Sequence, residues 1–325
     1  MIRTLKEITS CIEYEMEKFE KQFNDCFSSE EELISSVLSN LMQQKGKRVR
    51  PILTFLIANI YGKVTLQTYR VAIIIELLHT ASLLHDDVID KSLLRRGKST
   101  INSIFGDKVA ILIGDYLYGK ALATIKTEED FSFMDIFSRI ALKLPTGEFQ
   151  ESRVLKKKDF SISSYLEVIR NKTAYLIQAA VICSARSCGS KDFSLQDMES
   201  LGQNIGMAFQ IKDDVLDYTL NNNAGKGIGN DIRESKITMP LIYCLNSVDS
   251  TTKEEIENIF FEKNKTDEQV TYVLKAVNDS GAVEKAIQEQ QRYSKDAMRI
   301  VDNMPLNDYS VALRELVQYL TDRNK

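Results

Sequence analysis

Two short stretches of this sequence each bring three aspartates together in the pattern Asp-Asp-x-x-Asp. They are Asp86, Asp87 and Asp90 in the first stretch, and Asp213, Asp214 and Asp217 in the second. In an α-helix the first and last aspartate of each set lie one turn apart on the same face, with the middle one at its edge. Carboxylates at this spacing repel one another unless water or a multivalent cation screens them. Oxygen ligands with few histidines nearby suit Mg²⁺, which commonly bridges carboxylates to substrate phosphates.

A single acidic set of this kind would be interpreted more simply as a solvated helix end. Two matched copies, each embedded in apolar sequence, instead favour two metal-binding sets.

The helix predicted over 67–90 presents the first set. It is too apolar for a surface helix, but polar residues recur along it at three- and four-residue steps. These are Glu76, His79, Ser82, Asp86 and Asp90. Because unpaired polar groups are costly to bury, the stripe is expected to line a wet cavity. A second helix, predicted over 198–218, places Gln210 ahead of its aspartates, and Gly202 and Gly206 leave room for a close helix neighbour or a ligand.

Basic residues precede another predicted helix. The segment GKRVRP at 46–51 supplies Lys47, Arg48 and Arg50 at the start of a helix predicted to run from Pro51 to Tyr61. The free N–H groups and the dipole of a helix N-terminus favour an anion, so three cations there predict a phosphate site. A solvated basic loop explains the same residues equally well.

Breaks and interruptions mark the middle of the chain. One helical stretch is expected to break near Pro145, and the apolar helix predicted over 162–185 is interrupted by Lys172 and Thr173. A lysine in such a helix usually extends its ammonium group to the surface. The glycine-rich stretch 221–231 predicts a mobile flap, and its GxG spacing, with no strand before it, is weak evidence for dinucleotide binding.

Composition bounds the fold class. The 325 residues include only 14 glycines and 4 prolines, and helical periodicity recurs along the chain, for example in one helix predicted over 101–124. Strands need frequent turn signals, so the chain is predicted to be all-α. No linker interrupts it, which favours a single domain over 1–325.

Charge and cysteine content narrow the function classes. With 42 basic and 46 acidic side chains and a net charge of −4, the chain gives no general electrostatic case for binding nucleic acid. Its five cysteines are scattered and lack metal-ligand spacing, which predicts reduced thiols in a cytoplasmic protein. The N-terminal residues are charged rather than apolar, and no apolar run reaches about 18 residues. We therefore expect neither an export signal nor a transmembrane segment.

The predicted metals, cations and apolar helices suit a substrate with a diphosphate head and a hydrocarbon tail. No Ser-His-Asp pattern is apparent, and His79 and His85 are the only histidines. The chemistry is therefore expected to rest on metal-assisted departure of diphosphate rather than on a protein nucleophile.

These residues resemble the trans-isoprenyl diphosphate synthase, or polyprenyl synthetase, family over nearly the whole chain. The resemblance is carried by GKRVRP at 46–51, ELLHTASLLHDDVID at 76–90, RRG at 95–97, GDYLY at 114–118, KT at 172–173, FQIKDDVLD at 209–217 and the region of Lys226 and Lys236. The chain is most similar to bacterial long-chain members of the octaprenyl type. The resemblance implies an isoprenoid-synthase-type helical bundle around a deep central cavity, and a homodimer.

The resemblance also implies a role for each site residue. The six aspartates would hold about three Mg²⁺ ions. The allylic diphosphate would be bound by Arg95, Lys172, Lys226 and Lys236. Isopentenyl diphosphate would be bound by Lys47, Arg50, His79 and Arg96. Catalysis would depend most on Asp86, Asp90, Lys172, Thr173, Gln210 and Asp213.

The implied reaction is ionisation, condensation and elimination. An allylic primer, farnesyl or geranylgeranyl diphosphate, would lose its diphosphate, the double bond of isopentenyl diphosphate would attack, and a proton would leave. Thr173 and Gln210 would offer oxygen dipoles to the allylic cation. The product would be a long-chain all-trans polyprenyl diphosphate for quinone-type isoprenoid biosynthesis.

Two segments differ from the family pattern. Members commonly read EGKxT where this chain has Glu234-Ser235-Lys236-Ile237-Thr238, and GKPxGxD where it has GKGIGND at 225–231. Both lysines are present, so we expect activity with an altered flap geometry.

Two small residues, Ala81 and Ser82, precede the first aspartate set. They lie further down the helix, where a growing tail should run, and a bulky side chain there would form a floor. Small residues predict an open cavity and a long product, and the resemblance implies a length in the heptaprenyl to nonaprenyl range. Packing on a buried helix explains small residues as well.

Several alternatives stay open from the sequence. Within the family these are a short-chain farnesyl or geranylgeranyl diphosphate synthase, a regulatory subunit, and an active subunit that requires a smaller partner. A class I terpene cyclase also ionises diphosphates, but such enzymes usually carry a different second metal motif. A His-Asp phosphohydrolase would need more histidines, and a Ca²⁺-binding protein of the EF-hand type would need alternating acids and a glycine.

Overall fold

The computed structural model describes residues 4–44, 46–95, 97–219 and 228–321. These ranges are mostly helical, and the strands within them form one short antiparallel pair, β1 (Leu94–Arg95) and β2 (Lys98–Ser99). The prediction of an all-α chain is confirmed.

Eighteen α-helices are described within these ranges. In chain order they are α1 (Leu5–Ile8), α2 (Glu13–Asp25), α3 (Glu32–Met42), α4 (Val49–Tyr61), α5 (Leu66–Ile89), α6 (Ile101–Phe105), α7 (Asp107–Ala123), α8 (Glu128–Phe131), α9 (Met134–Lys157), α10 (Ile162–Ile169), α11 (Tyr175–Ser187), α12 (Leu195–Tyr218), α13 (Asn230–Arg233), α14 (Met239–Leu245), α15 (Ser250–Phe261), α16 (Asp267–Asp279), α17 (Ala282–Asp302) and α18 (Asp308–Thr321). A 3₁₀ turn, Thr9–Ile12, joins α1 to α2, and a π-helical turn, Arg170–Ala174, joins α10 to α11.

The helices form two compact units. The first comprises Met1–Ala141, Leu176–Glu199 and Asn303–Glu315. The second comprises Leu142–Tyr175, Ser200–Asp302 and Leu316–Lys325. Each unit contains one of the two aspartate sets.

The core of the first unit is built on α5, which packs against α4 and α7. Thr65 caps the start of α5 through a reciprocal pair of hydrogen bonds with Thr68. The apolar run after this cap, including Ile75 and Leu77, is fully buried; each such side chain contributes about 1.5–3 kcal/mol to folding. A Cβ at Gly114 of α7 would collide with His85 Nε2, so a larger residue there would force the imidazole to move.

The second unit has a separate apolar core, in which α14 packs against α16 and α17. Ile242, Phe260 and Tyr218 are fully buried in it. A Cβ at Gly206 of α12 would collide with the Cα of Ala174. The prediction that Gly206 leaves room for a close neighbour is confirmed, because backbone of the π-helical turn occupies that space.

Three predicted helix boundaries are wrong. Helix α4 begins at Val49 rather than Pro51, since a proline lacks only an N–H group that the first turn leaves unbonded anyway. The stretch 101–124 is divided at Gly106, whose φ is +88°. Helix α9 runs through Pro145 without a break, and buried Leu144 and the close contact at Gly147 hold this segment against the second unit's interior.

All five cysteines are free thiols, and Cys183, Cys188 and Cys244 are buried. In the part of the chain that the structure describes, no helix combines the length and apolarity needed to cross a membrane.

Candidate active site

The first aspartate set lies at the C-terminal end of α5. Asp87 is buried, with an exposed fraction of 4%, whereas Asp86 is partly exposed and Asp90 is exposed. The spacing predicts that Asp86 and Asp90 share one helix face, and these two carboxylates are indeed the more exposed ones, whereas Asp87 is buried.

Asp87 is held by Arg95 of strand β1. Arg95 Nε donates to Asp87 Oδ1 at 2.8 Å, and a second guanidinium nitrogen lies 2.7 Å from the same oxygen. Burial raises the pKa of the Asp87 carboxyl, and Arg95 offsets part of that effect. Two residues that the sequence assigns to metal and diphosphate thus bind each other in this structure.

Asn102 at the start of α6 fastens the same loop. Its amide nitrogen donates to the backbone carbonyl groups of Asp87, at 3.2 Å, and Ser92, at 3.1 Å. These two hydrogen bonds therefore anchor the loop after the first aspartate set to helix α6.

The basic segment before α4 is only partly a candidate phosphate site. Arg48 turns inward, with Nε 2.9 Å from Glu20 Oε1 and Nη1 2.9 Å from Glu76 Oε1, and its Cζ lies 4.5 Å from the ring centroid of Phe23. The prediction that all three cations bind phosphate is wrong for Arg48, because its guanidinium is already paired inside the unit. Lys47 is exposed and Arg50 is partly exposed.

The polar stripe predicted along α5 is also interrupted. Glu76 is 5% exposed and pairs with Arg48, so it lies in the protein interior rather than along a wet cavity. His79 and Ser82 are partly exposed, and the Ser82 hydroxyl donates to the His79 carbonyl at 2.9 Å. Ala81 is fully buried.

The second aspartate set lies near the C-terminal end of α12 and repeats the arrangement of the first. Asp214, the middle residue, is 6% exposed, whereas Asp213 is exposed and Asp217 is partly exposed. The Tyr165 hydroxyl donates to Asp214 Oδ2 at 2.5 Å, and Gln210 Nε2 donates to Oδ1 at 2.8 Å. Burial raises the pKa of the Asp214 carboxyl to about 7, and both hydrogen bonds counteract the rise.

Thr173 joins this network through Gln210. Its hydroxyl donates to Gln210 Oε1 at 2.7 Å, so one amide side chain bridges the π-helical turn and the buried aspartate. The structure thus brings together Thr173, Gln210 and the second aspartate set.

Lys172 forms ion pairs with two carboxylates on α9. Its Nζ lies 2.6 Å from Glu148 Oε1 and 2.5 Å from Glu151 Oε2, and its side chain is 21% exposed. Burial alone would lower the pKa of this lysine, but Glu151 and Glu148 more than reverse that effect. The expectation that Lys172 extends to the surface is therefore wrong, since the π-helical turn directs it onto α9, where Gly147 leaves space for its Cγ.

Asp217 organises the segment that leads to Lys236. Its carboxylate accepts the backbone N–H groups of Asn230 at 3.1 Å and Asp231 at 2.8 Å. Lys236 Nζ lies 2.8 Å from Glu234 Oε2. Arg96, Lys226 and residues 221–227 of the predicted flap lie outside the described ranges.

The sequence profile of the family described as polyprenyl synthetase matches residues 31–277. The chain belongs to this family.

Similar proteins cover almost the whole chain. Octaprenyl diphosphate synthase of Haemophilus influenzae is 30% identical, over 99% of this chain and 98% of the relative. Heptaprenyl diphosphate synthase component 2 of Geobacillus stearothermophilus is also 30% identical, over 98% of this chain and 99% of the relative. The crystal structure of a polyprenyl synthase from Caulobacter crescentus, complexed with calcium and isoprenyl diphosphate, matches with a TM-score of 0.92 at 29% identity, over 100% of this chain and 99% of that chain.

The family and the helical fold that the resemblance implied are confirmed. This polyprenyl synthetase is an enzyme, a prenyltransferase that elongates prenyl chains. Family membership sets aside the terpene cyclase, the phosphohydrolase and the calcium-binding alternatives.

The donor set of this polyprenyl synthetase fits Mg²⁺. In the ranges that the structure covers, no three Asp, Glu, His or Cys side chains already converge as a complete metal site. Mg²⁺ is, however, commonly held by one or two carboxylates together with waters and substrate phosphates. The accessible carboxylates of Asp86, Asp90 and Asp213 offer that kind of partial, all-oxygen set.

Sequence reasoning missed the residues that support the site from a distance. They are Tyr165, Glu148, Glu151 and Asp231. Burial and the charges of Asp214 and Asp217 raise the pKa of the Asp231 carboxyl well above its ordinary value. For Asp231 a signal existed, because it is the acid that ends the glycine-rich stretch; the other three have no pattern that singles them out.

Proposed function

We propose that this polyprenyl synthetase condenses isopentenyl diphosphate with farnesyl or geranylgeranyl diphosphate, repeatedly, to a long-chain all-trans polyprenyl diphosphate for quinone-type isoprenoid biosynthesis. One observation carries the proposal. In both aspartate sets the middle carboxylate, Asp87 or Asp214, is buried and hydrogen-bonded, while the first, Asp86 or Asp213, remains accessible. Two accessible, braced acidic sets suit a diphosphate substrate that arrives with divalent cations.

Asp86 and Asp90 would hold Mg²⁺ in the first set, and Asp213 and Asp217 in the second, about three ions in all by family resemblance. Bound Mg²⁺ would neutralise charge on the allylic diphosphate and ease its departure. Asp87 and Asp214, predicted as ligands as well, would act mainly by bracing the helix ends. Their carboxylates already accept hydrogen bonds from Arg95 and from Tyr165 and Gln210.

Cations would hold the two diphosphates. Lys172 has three N–H donors, and its two glutamate partners leave one for an oxygen of the allylic diphosphate. Arg95, Lys226 and Lys236 would complete that site. Lys47, Arg50, His79 and Arg96 would bind isopentenyl diphosphate, and Arg48 would support them from inside the unit.

Thr173 and Gln210 would stabilise the allylic cation. Their mutual hydrogen bond orients both oxygens, so each keeps a lone pair for the positive charge at no cost in reorganisation when ionisation occurs. The isopentenyl double bond would then attack, and the departing diphosphate would accept the proton.

The working form of the enzyme is proposed to be a cytoplasmic homodimer of one domain, residues 1–325. Helix α7 offers an argument for a dimer, because its apolar residues Ile111, Leu112 and Leu122 are 43%, 55% and 59% exposed. Exposed apolar side chains on one helix are typical of a surface that another chain covers. The five free thiols agree with a reducing compartment.

The experiment that tests the function incubates the purified chain with farnesyl diphosphate, isopentenyl diphosphate and Mg²⁺, with and without a chelator, and measures product masses. A metal-dependent ladder that ends in the heptaprenyl to nonaprenyl range supports the proposal. Absence of any prenyl product contradicts an enzyme that works alone; restoration by a small partner subunit would assign the chain to the two-component type.

A short product is the second candidate, and Ala81 favours it. This residue is fully buried, so it touches protein atoms rather than an open channel. A product that stops at farnesyl or geranylgeranyl length in the same assay would establish this alternative and leave the reaction type intact.

A further inference from the structure

The turn after α13 places a serine in a conformation that favours glycine. Ser235 has a φ of +56°. Its N–H donates to the Ile232 carbonyl at 3.1 Å, and the N–H of Lys236 donates to the Asp231 carbonyl at 2.8 Å. This pair of bonds is the Schellman termination of a helix, in which the residue at the position of Ser235 is usually glycine because a Cβ is strained there.

Side-chain contacts compensate for that strain. The Ser235 hydroxyl donates to the Phe260 carbonyl at 2.8 Å and accepts from Lys265 Nζ at 2.8 Å. The same ammonium donates to the carbonyl groups of Glu262 at 2.9 Å and Arg233 at 3.4 Å. The three N–H donors of Lys265 are therefore all used: two bind the turn at Ser235, and the third binds the connection between α15 and α16.

The turn leads directly to the second aspartate set. Asp231, whose carbonyl accepts from Lys236, donates its own N–H to Asp217 Oδ2 at 2.8 Å. Two hydrogen bonds, one to each side of the Asp231 peptide backbone, thus link the Lys236 backbone to the Asp217 carboxylate. A change of the backbone at Ser235 would move Lys236 relative to Asp217.

We propose that Lys265 is a positioning residue for diphosphate binding: it clamps the left-handed turn at Ser235 and thereby holds Lys236 at a set place beside Asp217. The inference rests on the proposed function, in which Lys236 binds the allylic diphosphate. A serine in this turn needs the clamp, whereas a glycine would adopt the same φ without it.

The test compares four variants of the full chain: Lys265→Met, Ser235→Gly, the double variant, and Lys263→Met as a control at an exposed lysine of the same loop. The readouts are KM for farnesyl diphosphate and kcat, with thermal unfolding to verify the fold. Lys265→Met should raise KM about tenfold, in keeping with the strain of one left-handed residue, and change kcat less than about twofold. Lys263→Met should leave both unchanged, and the double variant should return KM to within about twofold of the parent.

Rescue by glycine separates a clamp from a direct ligand. If the double variant is as impaired as Lys265→Met, or if Lys265→Met leaves KM unchanged, the positioning role is overturned. A parent chain that makes no prenyl product overturns the proposed function instead. In that case calorimetric binding of inorganic diphosphate with Mg²⁺ to the same four variants decides the clamp, with the same order of affinities expected and equal affinities overturning it.

Discussion

Tyr165 reaches across 49 positions of sequence to donate a 2.5 Å hydrogen bond to Asp214. In the first aspartate set, the buried middle residue Asp87 is paired with Arg95, which is a cation. The two sets therefore share a sequence pattern and differ in charge. The described hydrogen-bond partners of Asp214 are the neutral side chains of Tyr165 and Gln210. Burial raises the pKa of its carboxyl to about 7.

Substitution of Tyr165 by phenylalanine should destabilise the second unit. The change leaves Asp214 buried with one hydrogen bond fewer, which costs about 1–3 kcal/mol in the free energy of unfolding. Urea denaturation at neutral pH measures the loss. The matched control is Tyr272→Phe, whose hydroxyl also donates at 2.5 Å, to Glu255, but whose side chain is 38% exposed. The control should change stability by less than about 0.5 kcal/mol; equal losses in both variants would contradict the role of burial.

Arg48→Met should destabilise the first unit strongly. It removes the partner of Glu76, whose side chain is 6% exposed, and an unpaired buried charge costs about 3–5 kcal/mol. Adding Glu76→Gln should recover part of the free energy of unfolding, because the remaining side chain is neutral.

The same pair of variants distinguishes a structural arginine from a phosphate ligand. KM for isopentenyl diphosphate should recover together with stability in the double variant. A KM that stays high in a fully folded double variant would assign Arg48 to the substrate instead.

Asp86→Asn should reduce turnover by about 100-fold or more, because it removes a carboxylate that would bind Mg²⁺. Asp86 is partly exposed, so the midpoint of thermal unfolding should change by no more than about 2 °C. Steady-state assays at several Mg²⁺ concentrations check the loss. Asp192→Asn, at an exposed aspartate between α11 and α12, should leave turnover unchanged. Near-normal activity of Asp86→Asn would remove the metal assignment from the first set.

A phenylalanine ahead of the first aspartate set should shorten the product while turnover persists. Ser82→Phe is the cleaner test, because Ser82 is partly exposed, whereas Ala81→Phe must also fit a ring into a packed site. Overpacking of that kind costs about 1–3 kcal/mol. Mass spectrometry of the products gives the chain lengths. An unchanged length in a stable Ser82→Phe enzyme would show that the tail takes another route.

The features that repeat locally could be predicted from the sequence. The spacing of Asp86 and Asp90, and of Asp213 and Asp217, determines which carboxylates share a helix face, and apolar periodicity predicts α5 and α12. The fold class follows from the same periodicity and the scarcity of glycine and proline.

Partners that are distant in sequence could not be predicted. Arg48 looks like its neighbours Lys47 and Arg50, and only the positions of Glu20 and Glu76 in the folded unit show that it turns inward. Pro145 carries a strong local signal for a break, but packing of the helix around it outweighs that preference.

The π-helical turn Arg170–Ala174 limits how this family member can tolerate insertions and deletions. Adjacent residues in it face different helices: Lys172 reaches α9 and Thr173 reaches α12. Loss of one residue would convert the wide turn to an ordinary α-helical one and change the directions in which Lys172 and Thr173 point. The cation and the hydroxyl would then leave their partners together, so contacts with two helices jointly fix the number of residues in this single turn.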